Sequence, residues 1–297
     1  MRRLNRPAEK DLAALAGRPT VTGMETKVWS LAERPERAGA VLAMADSWPE
    51  VVLHDLVGNS HYGRIPAELP EYVLFAEDER GEVVAHAFSV PFALHAEGRG
   101  TLPARGWDQV LAWAFADLRN GTRPDTVSAI SVVVAPHVQG GGLSARMLGA
   151  MRDNARAHGF TEVVAPVRPS AKHLEPHTPV EEYVRRVRPD GLPHDPWMRV
   201  HVRAGATVDS VAPASMTVVG SLEMWRGWTG LPFDTAGDVE VDGALVPVRC
   251  EPERDLAVYV EPNVWMRHPL RGRSGSPASA TCGAVRGDRH DNDPVQP

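Results

Sequence analysis

The chain has 297 residues, 43% of them hydrophobic and 24% charged, with a net charge of −6. That is enough apolar material for a sizeable core in one large domain or two small ones, and the acidic balance offers no global basic field for nucleic acid. The two cysteines, Cys250 and Cys282, are too few for a disulfide framework or a cysteine-based zinc site, and no stretch approaches the roughly 18 apolar residues of a membrane span.

Residues 1–22 read as a loosely held N-terminal arm. It carries acids and a proline where a secretory leader has an apolar run, so a cytoplasmic protein that engages neither membrane nor nucleic acid is expected. METKVWSL (24–31) suggests a strand. Residues 33–48 suggest a helix, with Val41, Leu42 and Met44 at helical spacing. YVLFAEDERGEVVAHAFSV (72–90) places two β-rich runs around Asp78-Glu79-Arg80-Gly81, a hairpin signal. Residues 107–118 put Val110, Leu111, Ala114, Phe115 and Leu118 on one helical face. AISVVVAP (129–136) is apolar almost throughout, like a buried strand. Leu143, Met147, Met151 and Ala155 recur at helical spacing over 143–157, and Gly159 is a natural terminator. EVVAPV (162–167) reads as the next strand. Helices are expected around 181–187 and 196–205, then β-rich segments to about residue 266. Trp225 and Trp228 read as a core pair or a pocket wall. Residues 271–297 are rich in Gly, Ser, Pro and charge without periodicity, and are expected to be disordered. The alternation of element types predicts an α/β or α+β chain with a mixed sheet.

One stretch carries chemistry. VVVAPHVQGGGLSAR (132–146) runs from an apolar strand through three glycines into a helix. The first amides of a helix have no intrahelical partner, the helix dipole adds positive charge there, and glycines let the backbone approach an anion closely. A P-loop is excluded, because its lysine is absent. The dinucleotide pattern G-x-G-x-x-A is present as Gly140, Gly142 and Ala145, but Pro136 to Gln139 separate it from the strand and much of the chain precedes it.

The pattern V-x-P-x-x-Q/R-G-x-G-x-A/G/S is filled at every slot, by Val134, Pro136, Gln139, Gly140, Gly142 and Ser144. This stretch resembles the acyl-CoA-binding loop of the GNAT N-acetyltransferase superfamily. The resemblance implies an α/β (α+β) fold with a mixed, mostly antiparallel central sheet, splayed strands and flanking helices. It implies that the pyrophosphate of acetyl-CoA, or another acyl-CoA, sits on the backbone of Gln139, Gly140, Gly141, Gly142, Leu143 and Ser144. The pantetheine arm would then pair with the strand edge at Val132 and Val134. Residues 24–166 follow the family's order of elements, so 23–270 is expected to be one such domain. Extra segments near 100–120 and 168–194 and an enlarged part after 210 depart from the pattern.

Many family members carry Tyr-Glu-Lys-x-Gly-Phe after the late helix, and their tyrosine protonates the departing thiolate. Aligned on Gly205, that position here is His201, a candidate general acid because an imidazole titrates near working pH. The strand glutamate that many members use as base is missing. Candidates shift to His173, Glu175, His177, Glu181, Glu182, His194 and Asp195, among which Glu182 is taken as the base. Pro176 and Pro179 break the spacing of the histidines, so no metal is expected. The function implied is acetyl transfer to a primary amine of a small molecule or peptide. The alternatives are acyl-CoA decarboxylation, O-acyl transfer, or a non-enzymatic acyl-CoA-binding module. A homodimer is one option for the assembly.

Overall fold

The computed structural model describes residues 25–44 and 48–270. The expected N-terminal arm, the expected disordered tail and Cys282 lie outside these residues.

The elements follow in chain order. Strand β1 (Lys27–Ser30) leads through a 3-10 turn into α1 (Ala38–Ala43). Two short helices, α2 (Leu56–His61) and α3 (Ile65–Glu68), precede the hairpin of β2 (Val73–Glu77) and β3 (Val83–Phe92). Then come α4 (Gly106–Asn120), β4 (Thr126–Val134), α5 (Leu143–Ala157), β5 (Glu162–Val167), α6 (Val180–Arg185) and α7 (Pro196–Arg203). The last part is β6 (Thr207–Gly220), α8 (Leu222–Thr229), β7 (Gly237–Val239), β8 (Val248–Glu251) and β9 (Leu256–Pro269).

Two expectations are corrected here. The helix expected over 33–48 shrinks to a 3-10 turn and α1, which ends where Met44 turns extended. Helix α8 replaces part of the expected β-rich run. Ser221 caps it by accepting from the Met224 amide at 3.3 Å, and Gly230 ends it in the left-handed conformation.

β1 to β4 are antiparallel neighbours in sequence order, β4 and β5 are parallel, and β5 is antiparallel to β9. The described strands therefore form one mostly antiparallel sheet. β9 pairs with β6 along one edge. Its other edge takes β8 at residues 256–258 and β5 at residues 264–269. α5 lies across β2, β3 and β4, and buries Leu143, Met147, Leu148, Met151 and Ala155. α4 packs on β3 and β6 through Val110, Leu111, Ala114 and Phe115, while Leu118 is left 44% exposed at its end.

The enlarged C-terminal part makes a second, smaller core around Trp225, Phe233, Val248, Cys250 and Tyr259. Cys250 is a buried free thiol there. The 168–194 segment is pinned by Lys172, which is fully buried. Its Nζ donates to the carbonyls of Glu175 at 2.7 Å, Pro176 at 3.3 Å and Leu245 at 2.8 Å. Among the described residues no helix is long and apolar enough to cross a membrane.

Candidate active site

β4 and β5 pair only near their starts, Val127 with Val163 and Ser128 with Val164. The cause lies in β4. Opposite the step from Phe88 to Ser89 the register slips, and Ile130 is an extra residue without a partner in β3. A bulge of this kind bends its strand and increases the local twist. The Ile130 carbonyl is satisfied from outside the sheet, by the Trp107 indole at 3.0 Å. Pro166 lies beyond the stretch of β5 that pairs with β4, where a missing N–H is tolerated on that edge. Past the bulge the strands part and border a cleft of about 1460 Å³.

The free edge of β4 follows from its ladder. The Ala135 amide donates to the Val84 carbonyl at 2.9 Å, so the alternation of an antiparallel pair turns Val134 and Val132 away from β3. The Val134 carbonyl is taken by the Gln139 side-chain amide at 3.0 Å. The amide and carbonyl of Val132 and the amide of Val134 therefore face the cleft.

At one end of the cleft the chain turns through a 3-10 segment, Pro136–Val138, into the glycines. Gly140 has φ +85° and Gly142 φ +79°, and a Cβ at either would meet no protein atom within 4 Å. α5 begins at Leu143, and its first intrahelical bond runs from the Arg146 amide to the Gly142 carbonyl. The amides of Leu143, Ser144 and Ala145 thus have no helical acceptor. Gln139, Gly140, Gly142, Leu143 and Ser144 line this end, and Gly141 does not. A pyrophosphate fits this cradle of amides and open glycine faces, and a pantetheine arm fits the slot beside Val132.

His201 lines the cleft from α7 while remaining 2% exposed. Its Nδ1 shares a hydrogen bond of 2.9 Å with Nε2 of His268 on β9, and the Trp197 ring packs edge-on against it at 4.7 Å. Burial, then the neighbouring His268, pull its pKa down to about 3. The expectation of an imidazole titrating near neutral pH is corrected: His201 is a neutral ring here. Glu182 is also corrected. It is exposed, paired with Arg186 at 2.7 Å, and outside the cleft lining.

Of the remaining candidates, His173 lines the cleft. Glu175 is held by Arg186 at 2.5 Å, and His177 by Glu240 at 2.7 Å. Glu181 and His194 are exposed. Asp195 is a structural acceptor, capping α7 through the Trp197 and Met198 amides and also receiving the Ala171 amide and the Tyr183 hydroxyl.

The other end of the cleft holds residues that sequence reasoning missed. Asp55, Gly58, Tyr62 and Trp107 line it, with Glu50, Glu240 and Asp242 bringing further negative charge. Tyr62 and Ser131 share a hydroxyl hydrogen bond of 2.8 Å, which ties this wall to β4. Trp228 stacks on His54 with centroids 4.0 Å apart and lines the cleft, whereas Trp225 is fully buried. The tryptophan pair thus divides into one wall residue and one core residue. Nothing in the local sequence around Asp55 marks it. Asp108 beside it sits among the apolar positions of α4, and an acid there was a signal left unused.

No protein-family model matches the chain. It is 30% identical over 255 residues to the arginine N-acetyltransferase avaD of Aspergillus versicolor, which spans 76% of this chain and 87% of that protein. The loading GNATL domain of CurA from Lyngbya majuscula superposes with a TM-score of 0.53 at 16% identity, covering 83% of this chain and 98% of that one. The GphF GNAT-like decarboxylase, solved with isobutyryl-CoA, gives a TM-score of 0.48 at 16% identity over 83% of this chain and 100% of that one. The likeness to CurA reports the fold. Together with the extended identity to the Aspergillus enzyme and the splayed strands, it leads to one assignment: the chain belongs to the GNAT N-acetyltransferase superfamily.

Proposed function

We propose that the protein transfers the acetyl group of acetyl-CoA to an amino group of arginine or a closely related guanidino compound. The observation that carries this reading is the cleft itself. It begins at a glycine turn suited to a pyrophosphate, follows the open edge of β4, and ends at an acid-lined wall suited to a cation. The identity to an arginine N-acetyltransferase supports the choice of acceptor.

In this reading the pyrophosphate rests on the backbone of Gly140 to Ser144, and the pantetheine amides pair with Val132. An amide on the same edge faces the thioester carbonyl and stabilises the negative charge that develops on its oxygen. Holding donor and acceptor side by side supplies much of the rate. The neutral amine attacks the carbonyl carbon, the N–C bond forms, the C–S bond breaks, and coenzyme A leaves as a thiolate. The ammonium proton passes to water in the cleft. His201 acts here as a hydrogen-bond donor to the thiolate, not as an imidazolium acid. The matching tautomer has His268 donate from Nε2 to Nδ1 of His201, which leaves the proton of His201 on Nε2.

The test is a thiol-release assay with acetyl-CoA and a panel of arginine, agmatine, lysine, polyamines and peptides. Coenzyme A release that depends on arginine or agmatine, with a mono-acetylated product by mass, supports the reading. Turnover confined to peptides or uncharged amines counts against it. His201→Phe is expected to lower kcat about tenfold or more, the loss of one transition-state hydrogen bond, with acetyl-CoA binding unchanged. Equal turnover removes His201 from the mechanism.

A further inference from the structure

Asp55 precedes α2, and its Oδ2 accepts from the Gly58 amide at 2.5 Å. Asp108 sits in the first turn of α4, directly after Trp107. The two carboxyls face one another beside the Thr217 amide of β6. Asp55 is 2% exposed and Asp108 1%, yet Asp55 lines the cleft. Oδ1 of Asp55 and both oxygens of Asp108 have no hydrogen bond of normal geometry. The Trp107 ring closes one side: a Cβ on Gly58 would lie 3.1 Å from both that ring and Asp55 Oδ2.

Two adjacent buried carboxylates do not both ionise readily. Burial, then the charge of Asp55, push Asp108 up to about 8, and burial raises Asp55 as well. The cation facing them is the exposed Arg105. The pair therefore holds one proton between its members near neutral pH. Apolar side chains of similar size would pack this position at lower cost. What the two carboxyls offer instead is acceptor capacity beside an aromatic face, with Asp55 on the cleft wall and Asp108 buried directly behind it.

We propose that Asp55 and Asp108 form the binding site for the guanidinium group of the acceptor. This rests on the reading of the protein as an acetyltransferase acting on a guanidino amine. A guanidinium presents N–H donors in a fixed plane and reaches two carboxylates at once, while its face stacks on an indole. An ammonium has no such fork. Binding displaces the shared proton: the pair goes from one negative charge to two, the ligand brings one positive charge, and the proton leaves to the buffer.

The experiment compares kcat/KM for arginine with that for citrulline, its neutral ureido counterpart, at saturating acetyl-CoA. The wild type is expected to prefer arginine at least about tenfold. Asp108→Asn, which keeps the shape and removes the repulsion, is expected to shrink that preference at least about tenfold with the KM for acetyl-CoA unchanged. Asp55→Asn should do the same. Calorimetry of arginine binding in two buffers of different ionisation enthalpy should show about one proton released per arginine in the wild type near pH 7, and none in Asp108→Asn. A preference unchanged in Asp108→Asn, or proton-free arginine binding in the wild type, overturns the proposal. If neither amine is acetylated, the acetyltransferase reading fails separately, and calorimetry still decides the site. Binding with proton release then supports it, and absence of either overturns it.

Discussion

Gly140 and Gly142 hold φ of +85° and +79° with open space where a side chain would stand. Alanine at either position meets no protein atom, so its cost is the left-handed backbone, about 1 kcal/mol. Gly142→Ala is expected to raise the KM for acetyl-CoA about fivefold or more while the thermal midpoint falls by only a few degrees. An unchanged KM would detach the turn from donor binding. Asp108 carries a prediction of the opposite kind. Its carboxyl keeps a proton up to about 8, whereas an unfolded aspartate loses it near the ordinary value of 3.8. A group with a raised folded pKa stabilises the fold at low pH and loses that contribution as pH rises through the folded value. Asp108→Asn has no charge to bury, so its stability relative to wild type should grow from pH 5 to pH 9. Urea midpoints across that range check it, and a gap that stays constant would mean the carboxyl pair does not share a proton.

At the scale of elements, the bend in β4 at Ile130 opens the cleft, and α4 holds it open. Trp107 donates to the Ile130 carbonyl at 3.0 Å, and its own amide donates to Ser215 Oγ at 2.9 Å. Gly106 makes this start of α4 possible: at φ +30° its Cα lies so close to β6 that a Cβ would come 2.3 Å from Ser215 Oγ. Gly106→Ala is expected to cost about 3 kcal/mol or more and to lower turnover by displacing Trp107. A chemical-denaturation midpoint equal to wild type would contradict that. The glycine turn, helix α5 and strand β5 were legible in the sequence because each rests on contiguous residues whose spacing states its own geometry. The acid-lined wall was not. Asp55 comes from the turn before α2, Asp108 from α4 and Trp228 from α8, and only the tertiary fold assembles them. The strand glutamate that β4 lacks made residues 173–195 look like the source of a base. The structure spends Asp195 and Glu175 on caps and ion pairs instead. α8 was not expected although Ser221 and Gly230 are ordinary cap signals, because it is a short helix inside an otherwise β-rich stretch.

At the scale of the whole molecule, buried titrating groups set the pH window. Burial holds His86 and His268 down to about 4, and burial with His268 holds His201 down to about 3. In the unfolded chain these rings take up protons below about 6.5, while in the fold they stay neutral. What these rings contribute is therefore complete above about 6.5 and is lost as pH falls toward 4, by about 1.4 kcal/mol per pH unit for each ring. Urea midpoints from pH 7 to pH 4.5 should show this steep loss. Fully buried Lys172 holds two carbonyls of its own segment, Glu175 and Pro176, and ties that segment to the C-terminal part through the carbonyl of Leu245; Lys172→Met is expected to cost about 3 kcal/mol by stranding the three. Both cores meet around one cleft, which we propose brings acetyl-CoA and a guanidino amine together. The most direct test of this proposal is the initial rate of coenzyme A release from acetyl-CoA, with and without arginine, and with the product weighed by mass spectrometry. Release that requires arginine and yields arginine carrying one acetyl group is expected. Release that is independent of any amine, or acetyl-CoA binding with no transfer to arginine or agmatine, would contradict the proposal.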